Sequence, residues 1–298
     1  MAELLKRSGE RLGYDIRIIS YELDNQVPIA SVGKVVTGMR WTDPGVVDDI
    51  IRVAIEHEVR IVLPFIDGAI SVAARCKEKM PGLFVPVSDP DTATRMFDKI
   101  VAAKEFETAG IPIPTTYKII NAEMPVIAKP RFGSASRGIH VFHDIEDLMH
   151  LEDISEYLLQ EYIEDKREYT VDCYVAKDGE ILVTVPRERL EIMGGEVTRT
   201  VTTRIPQLEE MSREIIGKFE FRGPVTLQFL YDIRRNRFLL MEINPRLGGG
   251  VICSIYAGAP VPDYILSEAL DIPVRPCNDW ADKTLMARYQ KETIFYNR

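Results

Sequence analysis

The chain changes texture once, near residue 110, and that change limits what it can fold into. Before it, strand-like and helix-like segments alternate. Ile16 to Ser20 is a short β-branched run, and Asp43-Pro44 reads as a helix start with Asp at the cap and Pro at the first helical position. Val47, Ile50, Ile51, Ala54 and Ile55 then recur at helical spacing. Arg60 to Leu63 reads as a further strand, Ala69 to Lys79 as a helix, and Asp91 to Ala109 as one longer helix stopped by Gly110, Pro112 and Pro114. Such alternation predicts a parallel, doubly wound sheet. From Lys118 onward strands dominate. The runs 126–129, 138–142, 157–162, 169–176, 181–185, 225–231 and 237–243 are interrupted by helices near 145–151 and 207–219. Lys177-Asp178-Gly179 and Arg234-Arg235-Asn236 are hairpin-type turns, so the second half is expected to be antiparallel sheet with packed helices.

The first part is short for its type. The chain opens on a helix, Glu3 to Leu12, with no preceding strand and Gly-rich turn, and no GxGxxG occurs in it. A dinucleotide fold therefore has little support. The expected class is α/β (α+β): a shortened doubly wound domain over residues 1–92, then a β-rich unit over 93–298 with a small lobe at about 112–162 and a large lobe at about 163–298.

Composition removes several functions. With 37 Lys and Arg against 46 Asp and Glu, the net charge is −9, a poor basis for binding nucleic acid or an anionic membrane. The best apolar run, Ile61 to Ala74, contains Pro64, Asp67 and Gly68 and is too short to span a bilayer. No apolar core follows the first seven residues, so a signal peptide is not expected, and a cytoplasmic protein is. Cys76, Cys173, Cys253 and Cys277 are far apart and lack zinc-ligand spacing, which suggests reduced thiols.

Three segments carry chemistry. In the first, an apolar strand ends at Lys129 and runs into a loop of small residues, Gly133-Ser-Ala-Ser-Arg-Gly138, before a second strand. Gly133, Ser134, Ser136 and Gly138 allow close backbone approach to an anion and supply N–H and hydroxyl donors, with Lys129 and Arg137 adding charge. A flexible hairpin beside a lysine is the equal alternative. In the second, Glu242-Ile-Asn-Pro-Arg246, a strand places Glu242 and Asn244 on one face, and Gln228 lies opposite one of them if the turn centres on Arg235 or Asn236. Such oxygen donors suit Mg²⁺. A carboxylate inside Phe238 to Ile243 would be costly without a partner, which argues against a merely solvated face. In the third, Gln160-Glu-Tyr-Ile163 and Glu168, backbone groups would meet an adenine edge and Glu168 ribose hydroxyls, although a half-buried strand accounts for the pattern as well.

In this order, the pieces resemble the ATP-grasp family, nearest the ATP-binding half of the carbamoyl-phosphate synthetase large subunit and its stand-alone relatives. The resemblance covers most of the chain from about Asp91. It implies two β-rich lobes clamping ATP. Lys99 and Lys129 would hold the phosphates, the loop from Gly133 to Gly138 would act as a lid, Glu161 and Ile163 would contact adenine, and Glu168 ribose. Gln228, Glu242 and Asn244 would bind Mg²⁺ or Mn²⁺, and Arg246, with Lys129, would act in catalysis. The reaction implied is activation of a carboxylate as an acyl phosphate, then attack by an amine. Phosphorylation of bicarbonate or carbamate, or ATP binding without turnover inside a larger assembly, are the alternatives.

Arg187, Arg189 and Arg199 lie beside Gly194-Gly195 in a segment suited either to binding substrate anions or to forming a solvated strand edge. The expected partners are ATP and small carboxylate and amine substrates, with the protein a homodimer or part of a multi-protein pathway.

Overall fold

A computed structural model describes residues 1–133 and 137–296. The first hundred residues contain α1 (Ala2–Leu12), β1 (Ile19–Glu22), β2 (Lys34–Thr37), α2 (Val46–Glu56), α3 (Asp67–Lys79), α4 (Pro90–Phe97) and α5 (Lys99–Thr108). β1 and β2 pair in parallel, and Ile61 and Phe84 form a further parallel bridge. Parallel pairing agrees with the alternation in the sequence, but the sheet is thin. The run at 60–63 contributes only that bridge.

Two helix boundaries differ from expectation. The helix after Asp43-Pro44 is capped by Gly45, whose φ of 87° lies in the left-handed region; Asp43 instead accepts from the Arg40 N–H. The single helix expected over 91–109 is two. Asp98 leaves the helical region (φ −86°, ψ 101°), and its carboxylate accepts from the Ile100 and Val101 N–H groups to start α5. The same carboxylate pairs with Arg131 at 2.7 Å. A capping carboxylate in mid-run offers the backbone an alternative to continuing the helix.

The middle of the chain forms an antiparallel sheet ordered β3-β6-β4-β5, from β3 (Thr116–Tyr117), β4 (Val126–Pro130), β5 (His140–Phe142) and β6 (Tyr157–Glu161). Val126, Ala128 and Leu159 pack with Leu148 of α6 (Ile145–Met149).

The rest builds a six-stranded antiparallel sheet ordered β11-β10-β7-β8-β9-β12, from β7 (Lys166–Val175), β8 (Ile181–Met193), β9 (Glu196–Thr202), β10 (Gly223–Asp232), β11 (Arg237–Asn244) and β12 (Leu285–Ala287). Helices cover both faces, so β7 is buried continuously from Tyr169 onward rather than alternating with solvent. Val171, Cys173 and Val175 face α5 and α7 (Pro206–Gly217), packing with Phe106, Leu208 and Ile215. Tyr174 faces the other way, toward α8 (Val251–Tyr256) and α9 (Val261–Ala269), with Leu5 of α1 in the same cluster. Burying side chains such as Phe106, Phe221 and Phe229 contributes roughly 2–3 kcal/mol each. Arg11 of α1 pairs with Asp263 of α9 at 2.7 Å, fixing the first helix on the large sheet's outer layer.

Candidate active site

A cleft of about 670 Å³ opens between the two sheets, closed at one end by residues of the first hundred. Its centre is the hairpin of β10 and β11. The turn closes with Asp232 opposite Arg237, so its centre falls between Arg234 and Arg235, one step short of the expected position. Continued without interruption, that register would set Gln228 against Met241. A bulge after Phe229–Leu240 shifts it, and Gln228 then faces Glu242 and Thr226 faces Asn244. Two residues against one re-aim a side chain without breaking the sheet.

The Glu242 carboxylate accepts from the Gln228 amide at 2.6 Å and the Asn244 amide at 2.9 Å. Among the described residues no group of three or more His, Cys, Asp or Glu is arranged to hold a metal. The candidate set is instead one carboxylate and two amides. Turning either amide about its last bond exchanges a donor for an oxygen acceptor, so the three side chains fit a hard cation that takes its remaining ligands from phosphate and water.

Cations converge on the same cleft. Lys129, the inner end of β4, donates to Gln160 Oε1 at 2.9 Å. Burial pulls its ammonium down to about 8; Glu242 and Glu168 act against that, while Lys99 and Lys166 add to it. Lys99, first residue of α5, reaches the Gly133 carbonyl at 2.7 Å, and its N–H donates to the Arg131 carbonyl at 3.0 Å. The Asp98 break thus aims Lys99 at the β4–β5 loop. Gly133 and Arg137 line the cleft. Gly138, expected there too, is set back; it is a turn residue (φ 71°) against Pro130. Ser134 and Ser136 lie outside the described residues.

On the opposite wall Ile163, Leu230 and Met241 form an apolar floor, with Glu168 above it on β7. Glu161 is engaged elsewhere. Its carboxylate accepts from the Thr115 N–H at 3.1 Å and pairs with Arg235 at 2.8 Å and Arg237 at 2.9 Å. Burial alone would raise its pKa, but the Thr115 N–H and the two arginines hold it below the usual carboxylate range. The Glu161 side chain therefore joins the two sheets, and its N–H is taken by the Thr115 carbonyl at 2.9 Å, which leaves its own carbonyl for a ligand.

The three arginines proposed for substrate separate. Arg189 lines the cleft, donating to Gln228 Oε1 at 2.5 Å and to the Gly195 carbonyl at 3.0 Å. Its buried Nε makes no hydrogen bond and faces the Glu168 carboxylate at 3.8 Å. Arg187 is not available. It is 2% exposed, its Nε lies 2.8 Å from Asp172 Oδ2, and a Cβ on Gly250 would fall 2.4 Å from its Nη1. Arg187 and Arg189 face the same side of β8, but Arg187 is the last residue of the strand's buried part and lies under Gly250. Arg199 is exposed on β9 and pairs with Glu191 at 3.4 Å, away from the cleft.

Arg246 follows Pro245 at the end of β11 and grips Asp67 of α3 at 2.5 Å (Nε–Oδ1) and 3.0 Å (Nη2–Oδ2). Asp67, Lys166 and Glu196 were given no role in the sequence, and Gln160 was named only as the start of the Gln160-Glu-Tyr-Ile163 segment. Asp67 carried a usable signal, a carboxylate within an otherwise apolar run.

Two interlocked antiparallel sheets with this cleft between them occur in solved enzymes. The biotin carboxylase domain of Hydrogenobacter thermophilus 2-oxoglutarate carboxylase, solved with MgADP and bicarbonate, superposes with a TM-score of 0.76 at 16% identity, over 95% of this chain and 70% of that one. Staphylococcus aureus N5-carboxyaminoimidazole synthetase gives 0.73 at 18% identity, over 91% of this chain and 74% of that one. A family model described as ATP-grasp in the biosynthetic pathway with Ter operon matches residues 153–293. Over that stretch, just under half of its length, the chain is similar to ATP-grasp proteins. By sequence the chain is 23% identical to the C-terminal section of the carbamoyl phosphate synthase large chain of Methanopyrus kandleri, over 78% of its own length and 46% of that protein. It is 29% identical to a D-alanine–D-alanine ligase of Petrotoga mobilis, over 50% of its own length and 54% of that protein. The chain thus spans about half the length of these two relatives. Among the described residues, no helix is long and apolar enough to cross a membrane.

Proposed function

We propose that the chain is an ATP- and Mg²⁺-dependent ligase that activates a carboxylate as an acyl phosphate for attack by an amine. The observation that carries this is the convergence of Lys99, Lys129, Glu168, Arg189, Glu242 and Arg246 on one cleft, with Gln228 and Asn244 beside Glu242.

In this reading adenine lies on the floor of Ile163, Leu230 and Met241, edge-on to the backbone of Glu161 and Ile163, and Glu168 accepts from ribose hydroxyls. Lys99 and Lys129 neutralise the phosphates. Gln228, Glu242 and Asn244 hold Mg²⁺, which, when bound, offsets charge on the phosphate oxygens. The substrate carboxylate is already ionised at neutral pH, so phosphoryl transfer needs position and charge neutralisation rather than a protein base. Arg189 and Arg246 supply that charge at the reacting end, where preorganised donors meet an anion as it develops.

The test is melting temperature with ATP and Mg²⁺, followed by ADP release against pools of small carboxylates and amines. A ligand at a hundredfold excess over its Kd stabilises the fold by about 2.7 kcal/mol, and Mg²⁺ alone should do much less. No shift with ATP–Mg²⁺ at millimolar concentration would overturn the proposal.

A further inference from the structure

The ion pair of Arg246 and Asp67 is an unusual feature of a substrate-ready cleft. The two side chains come from opposite ends of the chain, 179 positions apart, and each is mostly buried, at 16% and 13% exposure. The contact is two-pronged, with each carboxylate oxygen taking one guanidinium nitrogen. A carboxylate seated in that way satisfies the face of the arginine that an anionic substrate group would use. Arg246 stands two residues beyond Asn244 and lines the cleft, as Asp67 does.

We propose that Asp67 is the specificity-determining residue of the carboxylate subsite, and that it selects substrates carrying an ammonium group beside the carboxylate, the α-amino acids. The proposal rests on the function proposed above. As the structure stands, Arg246 and Asp67 cancel each other's charge. A substrate carboxylate that takes over the guanidinium leaves Asp67 partly buried with no cation. Glu196 also lines the cleft, with Arg288 at 3.7 Å as its partner. A simple carboxylate that occupies Arg246 therefore offers Asp67 nothing in place of the guanidinium it has lost. An α-amino acid brings its own cation at the distance of one carbon, so Asp67 exchanges a guanidinium for an ammonium and the local charge returns to zero. An unpaired charge in a buried site is strongly disfavoured, and discrimination by leaving such a charge against the wrong substrate is an efficient form of selectivity. The residues before Asp67 fit the same substrate. Phe65 and Ile66 line the cleft, are 53% and 54% exposed, and give an apolar wall for a side chain.

The experiment measures ADP release at saturating ATP and Mg²⁺, with the same mixture of simple amines present as acceptors in both arms, against two matched pools. One contains α-amino acids of both hands, the other the same carbon skeletons without the amine. The wild type should reach half-maximal rate at a concentration at least tenfold lower for the amino-acid pool. Asp67→Asn keeps the shape and removes the charge. It should raise the half-saturating concentration of the amino-acid pool and lower that of the deaminated pool, because the internal competitor for Arg246 is weakened. A merely structural defect would depress both pools together. Retention of the ATP–Mg²⁺ melting shift in the variant verifies that it folds. Equal use of both pools by the wild type overturns the inference, as does an unchanged preference in Asp67→Asn. ADP release with neither pool, in a protein that still shows the ATP–Mg²⁺ shift, overturns the substrate class and leaves the nucleotide reading standing. Absence of that shift overturns both.

Discussion

Arg187→Met separates a structural arginine from a substrate-binding one. Arg187 and Asp172 are 2% and 3% exposed, and Asp172 holds the guanidinium through contacts of 2.8 and 3.4 Å. Without the arginine, Asp172 keeps a hydrogen bond of 2.6 Å from Ser254 and no cation. Removing one partner of a buried pair costs about 3–5 kcal/mol. At about 2 °C per kcal/mol, the lower end for a chain of this size, the melting temperature should fall by roughly 6–10 °C. Replacing both partners, Arg187→Met with Asp172→Leu, leaves no buried charge and should recover most of the loss. The assay is thermal unfolding of the single and double variants with and without ATP–Mg²⁺, whose stabilising shift should persist in both. An unchanged melting temperature together with loss of carboxylate-dependent ADP release would refute the reasoning and return Arg187 to the substrate site.

Three further outcomes are expected. Lys129→Ala should weaken ATP–Mg²⁺ binding by roughly tenfold to a hundredfold, since a charged hydrogen bond is worth about 1.5–3 kcal/mol, whereas Glu242→Ala should mainly remove turnover; calorimetry and ADP release distinguish them, and intact turnover in Glu242→Ala would contradict the assignment. Because burial brings the free Lys129 ammonium to about 8, the charged form that binds phosphate is full below that pH and lost above it, so affinity should fall by up to about tenfold between pH 7 and pH 9. A flat profile by calorimetry would argue against Lys129 as a phosphate contact. Asp98→Ala removes the α5 cap and the partner of Arg131 and should cost about 1–2 kcal/mol, read as a lower melting temperature; no change would mean that α5 starts without it.

The sequence by itself determined the local pieces. Alternation before Gly110 and hairpins after it follow from period and turn chemistry, which act over a few residues; the expected runs from 126 onward each begin within three residues of a strand, whereas β2, β3 and β9 were not expected and β8 runs on to Met193. It also named Lys129, Glu242 and Asn244 as a chemistry-bearing set, because a lysine before a small-residue loop and a carboxylate in an apolar strand are odd locally. Tertiary structure decided which of the candidates meet. The bulge beside Met241, not the turn, brings Gln228 opposite Glu242; a one-residue slip is invisible to period-two patterning, which reads each strand alone. Arg187 and Arg189 look alike in sequence, yet Gly250 closes over the first, and the second lines the cleft. Asp67 reaches Arg246 because α4 packs on both α3 and β11 and so brings the start of α3 to the end of that strand. Contacts between distant residues depend on how layers stack, and nothing within a short window of sequence records that packing.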